Sequence, residues 1–317
     1  MYRLIKTESI KLHSKEYLQN ISQALFFKNE YFGFLLILMS VIFRPPIFIF
    51  GILASLIGYI YSTLNRTPKI LKQNGLLTIN GLFFGVAFAS LFQEGITFYF
   101  CFALGSFAVP LITKASYEVL QHWKLSPLII PYIIAIWVFW LCADGINLLT
   151  ANSLLSPEPI YFFGLLPEAE LWVQLLKSMF FSISQIFFFK DPHFGLCLLV
   201  LVFCFNAKRG LFFLMGTAIA TLIFYSISNG SFNWQNGFLS CSASLVGLGL
   251  ASQPENFNRR TIALFCVISL FITIAIEKIL ISTHLPGLSL PFVVTFWFAI
   301  LSRAPRLNIS WATSEIN

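Results

Sequence analysis

Charge is the scarcest thing in this chain. Of its 317 residues only 10% are Asp, Glu, Lys or Arg, against 57% hydrophobic, and mean hydropathy is +0.81. A soluble domain needs more polar surface than this, so the composition indicates a polytopic membrane protein and argues against a water-soluble enzyme. No CxxC occurs. The six cysteines (Cys101, Cys142, Cys197, Cys204, Cys241, Cys266) are scattered through apolar segments and read as small hydrophobes, neither disulfides nor metal ligands. The four histidines lack paired helical spacing, and no nucleotide loop or catalytic triad is traceable. No metal, cofactor or enzymatic activity is expected. No basic run is long enough for a nucleic-acid surface, so the net charge of +7 is assigned to loops that face lipid headgroups. The first sixteen residues lack the apolar core and cleavage site of a signal peptide. Residues 1–20 are therefore expected to form a cytosolic or interfacial segment, with Arg3, Lys6, Lys11 and Lys15 toward anionic lipid.

What is present is a duplication. ISQALFFKNEYFGFLLIL (21–38) matches ISQIFFFKDPHFGLCLLV (183–200), with Gln23 on Gln185. The same shift in numbering relates Lys28 to Lys190, Gly33 to Gly195, Asn74 to Asn236, Gly75 to Gly237 and Gly85 to Gly247. Further on it slips by two, between LSPLIIPYIIAIW (125–137) and LPGLSLPFVVTFW (285–297). A very apolar chain built from two copies is most simply a transporter or channel with its solute path between the halves. At about 20 residues per span, the apolar segments sum to about ten spans once the short ones are merged or treated as re-entrant. The expected division is a first repeat over 21–143, an extracytoplasmic linker over 144–170, a second repeat over 171–302 and a cytosolic tail over 303–317.

The linker carries Asp144, Glu158, Glu168 and Glu170 and no Lys or Arg. Basic residues collect instead at Arg66, Lys69, Lys72, Lys114 and Lys124 in the first copy and at Lys208, Arg209, Arg259 and Arg260 in the second, where the pattern moves by one loop. Lys and Arg favour cytoplasmic loops. A one-loop shift is what two copies of five spans with opposite orientation produce, with both termini cytoplasmic. Only Arg44 and Lys278 fall in the opposite set of loops; a chance split is the bland alternative.

The repeated residues supply the site candidates. Gln23 and Gln185 enter apolar spans at matched positions, where an amide needs a partner. They read as a pseudo-symmetric polar pair near the axis, or as glutamines at the membrane surface. Phe26 and Phe188 follow at equal distances. Opposed rings make a slot that admits a planar solute and strips its water, although a Phe stripe is normally packing. The Gly-rich stretches near 74–91 and 236–253 suit half-helices ending at the midplane, or close small-residue packing. Pro131 and Pro291 centre the third repeat, where a proline frees a carbonyl one turn earlier. No ionisable residue is central and repeat-matched, with Glu118 and Glu277 close to loop ends. That absence favours an uncharged solute moving downhill, since ion-coupled carriers keep an intramembrane charge.

Together, the Q-x-x-F-F stretches, the Gly-rich segments and the repeated LSPLIIPY (125–132) and LPGLSLPF (285–292) resemble the urea transporter family, whose signature is L-P-x-x-T-x-P-F. The resemblance covers about residues 20–302. It implies an all-α polytopic membrane protein of two inverted five-helix repeats, with re-entrant half-helices enclosing a central pore. It further implies a homotrimer with one pore per subunit and passive, channel-type passage of urea. The location implied is the cell membrane, the inner membrane of a bacterium, with membrane lipids as further partners. By the family's motif, the mid-pore threonine positions fall on Ile129 and Ser289 and the glutamine positions on Gln23 and Gln185. Slot positions fall on Phe26, Phe188, Ile79, Phe83, Cys241 and Leu245. Ile129 lacks the hydroxyl, and Ile79 and Cys241 stand where the family often has Phe. A channel for another small neutral solute, such as a short amide or ammonia, or a non-conducting homologue, is the alternative.

Overall fold

In lipid every backbone N–H and C=O must be paired within the protein, which leaves an apolar chain the choice of helix or closed barrel. This chain takes the helix. The computed structural model describes residues 2–146, 149, 171–227, 239–253 and 257–303, and its regular segments are helical throughout. The acidic linker from residue 150 onward, the uncharged 229–236 loop, Asn236 and Gly237, and the tail beyond Arg303 lie outside the described residues.

The repeat is visible in how the backbone bends. Helix α1 (Tyr2–Ser22) runs into a 3-10 turn at Gln23–Leu25, and the chain then turns 73° into α2 (Glu30–Phe43). In the second copy, α8 (Leu171–Ser184) and the turn Gln185–Phe187 meet α9 (Pro192–Phe205) at 81°. Both breaks have the same chemistry. The Ser22 hydroxyl donates to the Phe27 carbonyl at 2.8 Å, and Ser184 to that of Phe189 at 2.6 Å. Asn29 caps α2, accepting from the Tyr31 and Phe32 N–H groups, and Asp191 caps α9 through His193. Side-chain caps of this kind satisfy the orphan donors of a new helix and so fix where it restarts. Gly33 and Gly195 allow the arms to cross, because a Cβ at either would fall on the carbonyl oxygen of Leu18 or Phe180.

Each copy then continues in the same order. The first has α3 (Pro45–Leu64), a short α4 (Lys69–Gln73), α5 (Leu76–Leu91), α6 (Ile96–Leu120) and α7 (Ile130–Ile146); the second has α10 (Ala207–Ile227), α11 (Cys241–Ala251), α12 (Arg259–Ser282) and α13 (Leu290–Leu301). The ten expected spans are thus of three kinds. Four helices, α3, α6, α10 and α12, are long and apolar enough to cross a membrane, and the two bent pairs qualify only as broken spans. The remaining four, α5, α7, α11 and α13, are short apolar helices of 11 to 17 residues. Hydropathy counts apolar residues but does not register the caps and turns that interrupt them.

The short helices occupy the interior. Every residue of α5 from Leu76 to Phe88 is buried, as is α11 from Ser242 to Leu250. The long helices expose apolar side chains such as Phe100, Phe107, Leu211 and Phe271. Contacts between the copies are reciprocal: α2 meets α9, α7 meets α13, the turn after α1 meets α11, and the turn after α8 meets α5. The six non-glycine residues with positive φ among those described form three repeat pairs: Phe26 (62°) with Phe188 (59°), Lys124 (55°) with His284 (56°), and Leu128 (47°) with Leu288 (49°). Such torsions disfavour bulky residues, so their pairing shows that the backbone itself is duplicated.

Residues 12–20, expected to be cytosolic or interfacial, are the packed end of α1. Tyr17 meets the Ser55 hydroxyl at 2.6 Å, Tyr59 donates to the Glu16 carboxylate at 3.2 Å, and Lys15 pairs with Glu30 at 3.0 Å. Pro131 and Pro291 occupy the second position of α7 and α13. At a helix start no intrahelical bond exists to be broken, so these prolines begin their helices and free no carbonyl a turn earlier.

Candidate functional site

The two left-handed leucines adjoin two of the site candidates. Leu128 and Leu288 immediately precede Ile129 and Ser289, which lead into α7 and α13. The Leu128 bend is held from across the core. Asn80, buried in the middle of α5, donates to the Leu128 carbonyl at 2.8 Å and accepts from the Tyr132 N–H at 3.2 Å. One amide thereby fixes the strained carbonyl and caps the first turn of α7. The second copy has Ser242 at the Asn80 position.

The two loops are also tied across the molecule. Trp137 Nε1 donates to the Pro286 carbonyl at 2.8 Å, and Trp297 Nε1 to the Ser126 carbonyl at 2.9 Å. These bonds are exchanged by the repeat, which sets Trp137 on Trp297 and Ser126 on Pro286. Trp140 adds a bond to the His284 carbonyl at 2.6 Å.

Between the first of these loops, the bend after α1, α13 and the end of α11 lies a cavity of about 400 Å³, lined by both copies. Its mouth is polar, with Lys28, Asn74, Lys124 and Ser126 exposed and Gln23 alongside. Its depth is apolar, formed by the buried side chains of Ile79, Phe83, Ile129 and Leu245. Phe26 forms one wall, nearly parallel to Phe296 at 15° with ring centroids 6.0 Å apart, and edge-on to Phe292 at 6.2 Å. The Phe26 carbonyl accepts from Arg209 Nη1 at 2.9 Å, and the same guanidinium lies 5.0 Å from the centre of the Phe27 ring. A residue of the second copy thus holds the bend of the first.

Six of the ten candidates share this cavity: Gln23, Phe26, Ile79, Phe83, Ile129 and Leu245. The other four do not line it. Gln185, Phe188, Cys241 and Ser289 stand at the repeat-equivalent positions of Gln23, Phe26, Ile79 and Ile129. Gln185 donates to the Phe189 carbonyl at 3.2 Å, while Gln23 donates to that of Gln73 at 3.2 Å, so each glutamine serves its own neighbourhood. The ring nearly parallel to Phe26 belongs to Phe296, and Phe188 packs elsewhere in the core. Ser289 is buried and accepts from the Tyr132 hydroxyl at 3.1 Å.

Sequence reasoning passed over Asn80, Tyr132, Arg209, Phe292, Phe296 and the tryptophan pair. A lone Asn in a continuous apolar run was one available signal, since a buried amide needs partners. The Trp that closes each copy of the third repeat was another. Arg209 gave none: its repeat counterpart is Ile47.

The sequence model of the urea transporter family matches residues 15–304, a stretch that takes in the duplicated bends, the paired left-handed leucines and the two-copy cavity. The chain belongs to the urea transporter family. Urea transporter 1 of sheep (Ovis aries) is 21% identical over 298 residues, covering 92% of this chain and 77% of the relative. Urea transporter 1 of goat (Capra hircus) matches to the same extent. Membership makes this protein a multi-pass membrane transporter and not an enzyme, and it supports urea as the transported solute.

Proposed function

We propose that the chain is a passive urea channel whose path runs between two inverted repeats, through the described cavity and past Ile129 and Ser289. One observation carries this reading: a cavity lined by both repeats, polar at its mouth and apolar in its depth, with aromatic rings along its wall. Flat apolar walls fit a planar solute that must shed water, and a depth without ionisable groups offers nothing to couple to an ion. The glutamines belong to the two approaches, Gln23 with Phe26, Ile79, Phe83 and Leu245 on one side and Gln185 with Phe188 and Cys241 on the other. Ser289 provides a hydroxyl at the middle. The reciprocal contacts and the displaced basic loops support repeats of opposite orientation, residues 21–143 and 171–302, with both termini cytoplasmic. The homotrimer and the bacterial inner membrane rest on the family resemblance. Ile79, Ile129 and Cys241 favour a second reading, the same path selecting another small neutral amide.

The test is urea uptake into proteoliposomes with and without ionophores that collapse proton and sodium gradients. Uptake that follows the urea gradient alone, and is competed by acetamide or methylurea in proportion to their own passage, is expected. Uptake abolished by an ionophore contradicts a passive mechanism.

A further inference from the structure

Two residues of the second copy close on one residue of the first. Phe26 lines the cavity from the bend after α1. Its carbonyl accepts from Arg209 Nη1 at 2.9 Å. Its ring lies beside Phe296 and against α11 at Gly249, where a Cβ would meet Phe26 Cζ at 3.0 Å. Neither contact is supplied by the duplication, since the positions matched to Arg209 and Gly249 are Ile47 and Ala87. The turn itself does not require them. Phe188 takes the same left-handed torsion as Phe26, 59° against 62°. Each turn is closed by that residue's own N–H on the carbonyl of Gln185 or Gln23, at 3.0 and 2.9 Å. Phe26 differs from Phe188 in lining the described cavity, and Phe26 is the one with the arginine.

We propose that Arg209 is a positioning residue for the cavity wall: by clamping the Phe26 carbonyl it holds the Phe26 ring in place, and so sets which planar solutes the cavity admits by size. The proposal rests on the channel reading above. A charged donor on a carbonyl makes a stronger hydrogen bond than a neutral one, and here it fixes the peptide from which the ring departs. Bulky residues disfavour a left-handed torsion, so a Phe26 without its clamp has a reason to shift within the turn. Arg209 is half-buried, and its guanidinium is engaged by this carbonyl and by the Phe27 ring, with no carboxylate paired to it among the described residues. An ion pair therefore does not account for its place. A wall that yields loses discrimination against a bulkier solute, because an apolar site rejects an added methyl group only as far as its walls hold still.

The test uses the full chain in proteoliposomes, with the permeabilities of urea and methylurea measured for wild type, Arg209→Met, Phe26→Ala and the double variant. The readout is the ratio of methylurea to urea permeability, which does not depend on how much protein is folded or inserted. A firm apolar site discriminates one methyl group by about tenfold or more, so Arg209→Met is expected to raise the ratio about threefold or more. Phe26→Ala is expected to raise it at least as far, and the double variant to match Phe26→Ala alone, because Arg209 acts through Phe26. An unchanged ratio in Arg209→Met, whatever the total flux, assigns the arginine to stability and overturns the proposal. A double variant whose change is the product of the two single changes also overturns it, since Arg209 would then act elsewhere. Arg209→Gln takes the place of Arg209→Met if the latter does not fold, and a wild-type ratio in Phe26→Ala overturns the proposal with no variant at 209. Urea permeability of the wild type no higher than empty liposomes overturns the channel reading itself.

Discussion

At the residue scale the account turns on few polar atoms in an apolar path. On the proposed path, Ser289→Ile removes the mid-path hydroxyl and leaves the buried Tyr132 phenol without its partner. Urea flux should fall on the order of tenfold or more, since both a solute contact and the pairing of a buried group are lost. Stopped-flow light scattering checks this, and unchanged flux removes Ser289 from the mechanism. Ile129→Thr, in the depth of the cavity, should preserve or raise flux, and a total loss would mean that 129 and 289 are not equivalent. Ile129 and Ser289 stand out in the sequence because they sit in a repeated linear motif. Asn80 and Tyr132 do not, because their roles exist only where α5 meets α7 and where the first signature loop meets the second. A hydrogen bond spanning 157 residues leaves no local pattern.

At the scale of elements, the bends decide more than the spans. The recurring shift between matched residues, slipping by two in the third repeat, announced two copies, and the paired bends and left-handed residues follow it. Apolar content could not show that α5, α7, α11 and α13 are shorter than the helices long enough to cross. Shortness was written in the turn residues between runs, and those are easy to merge across. The crossing of α8 and α9 depends on Gly195, where a methyl group meets the Phe180 carbonyl oxygen. Gly195→Ala should cost about 1–3 kcal/mol, the usual penalty for overpacking, seen as a lower thermal midpoint in detergent. The tryptophan exchange makes a second prediction. Trp297→Phe keeps most of the ring but gives up the bond to Ser126, and Trp137→Phe that to Pro286. Each should cost about 1 kcal/mol. Because the two bonds brace the same pair of loops, a double-mutant cycle should show a coupling of about 0.5 kcal/mol or more, as contacting sites usually do. Strict additivity would show that the loops move independently.

At the scale of the molecule, charge and the duplication have to agree. If the copies are inverted, loops equivalent by repeat lie on opposite sides of the membrane, and the basic loops of both copies lie on one side. Single cysteines introduced at Lys72 and Arg260 in a background lacking the native cysteines should be labelled from the cytoplasmic side, and one at Lys278 from the other. Labelling of all three from one side would rule out opposed repeats. The family was legible in the sequence because it rests on motifs spread over nearly the whole chain, and the family match covers residues 15–304. The solute was less so: Ile79, Ile129 and Cys241 differ from the pattern that the family resemblance implies for the proposed path. The measurement that bears most directly on the central claim is stopped-flow urea entry into proteoliposomes under an inward urea gradient, with empty liposomes as the control. The account predicts entry far above the control, scaling with the gradient and reduced by Ser289→Ile. Entry at the control level by well-folded protein would contradict it.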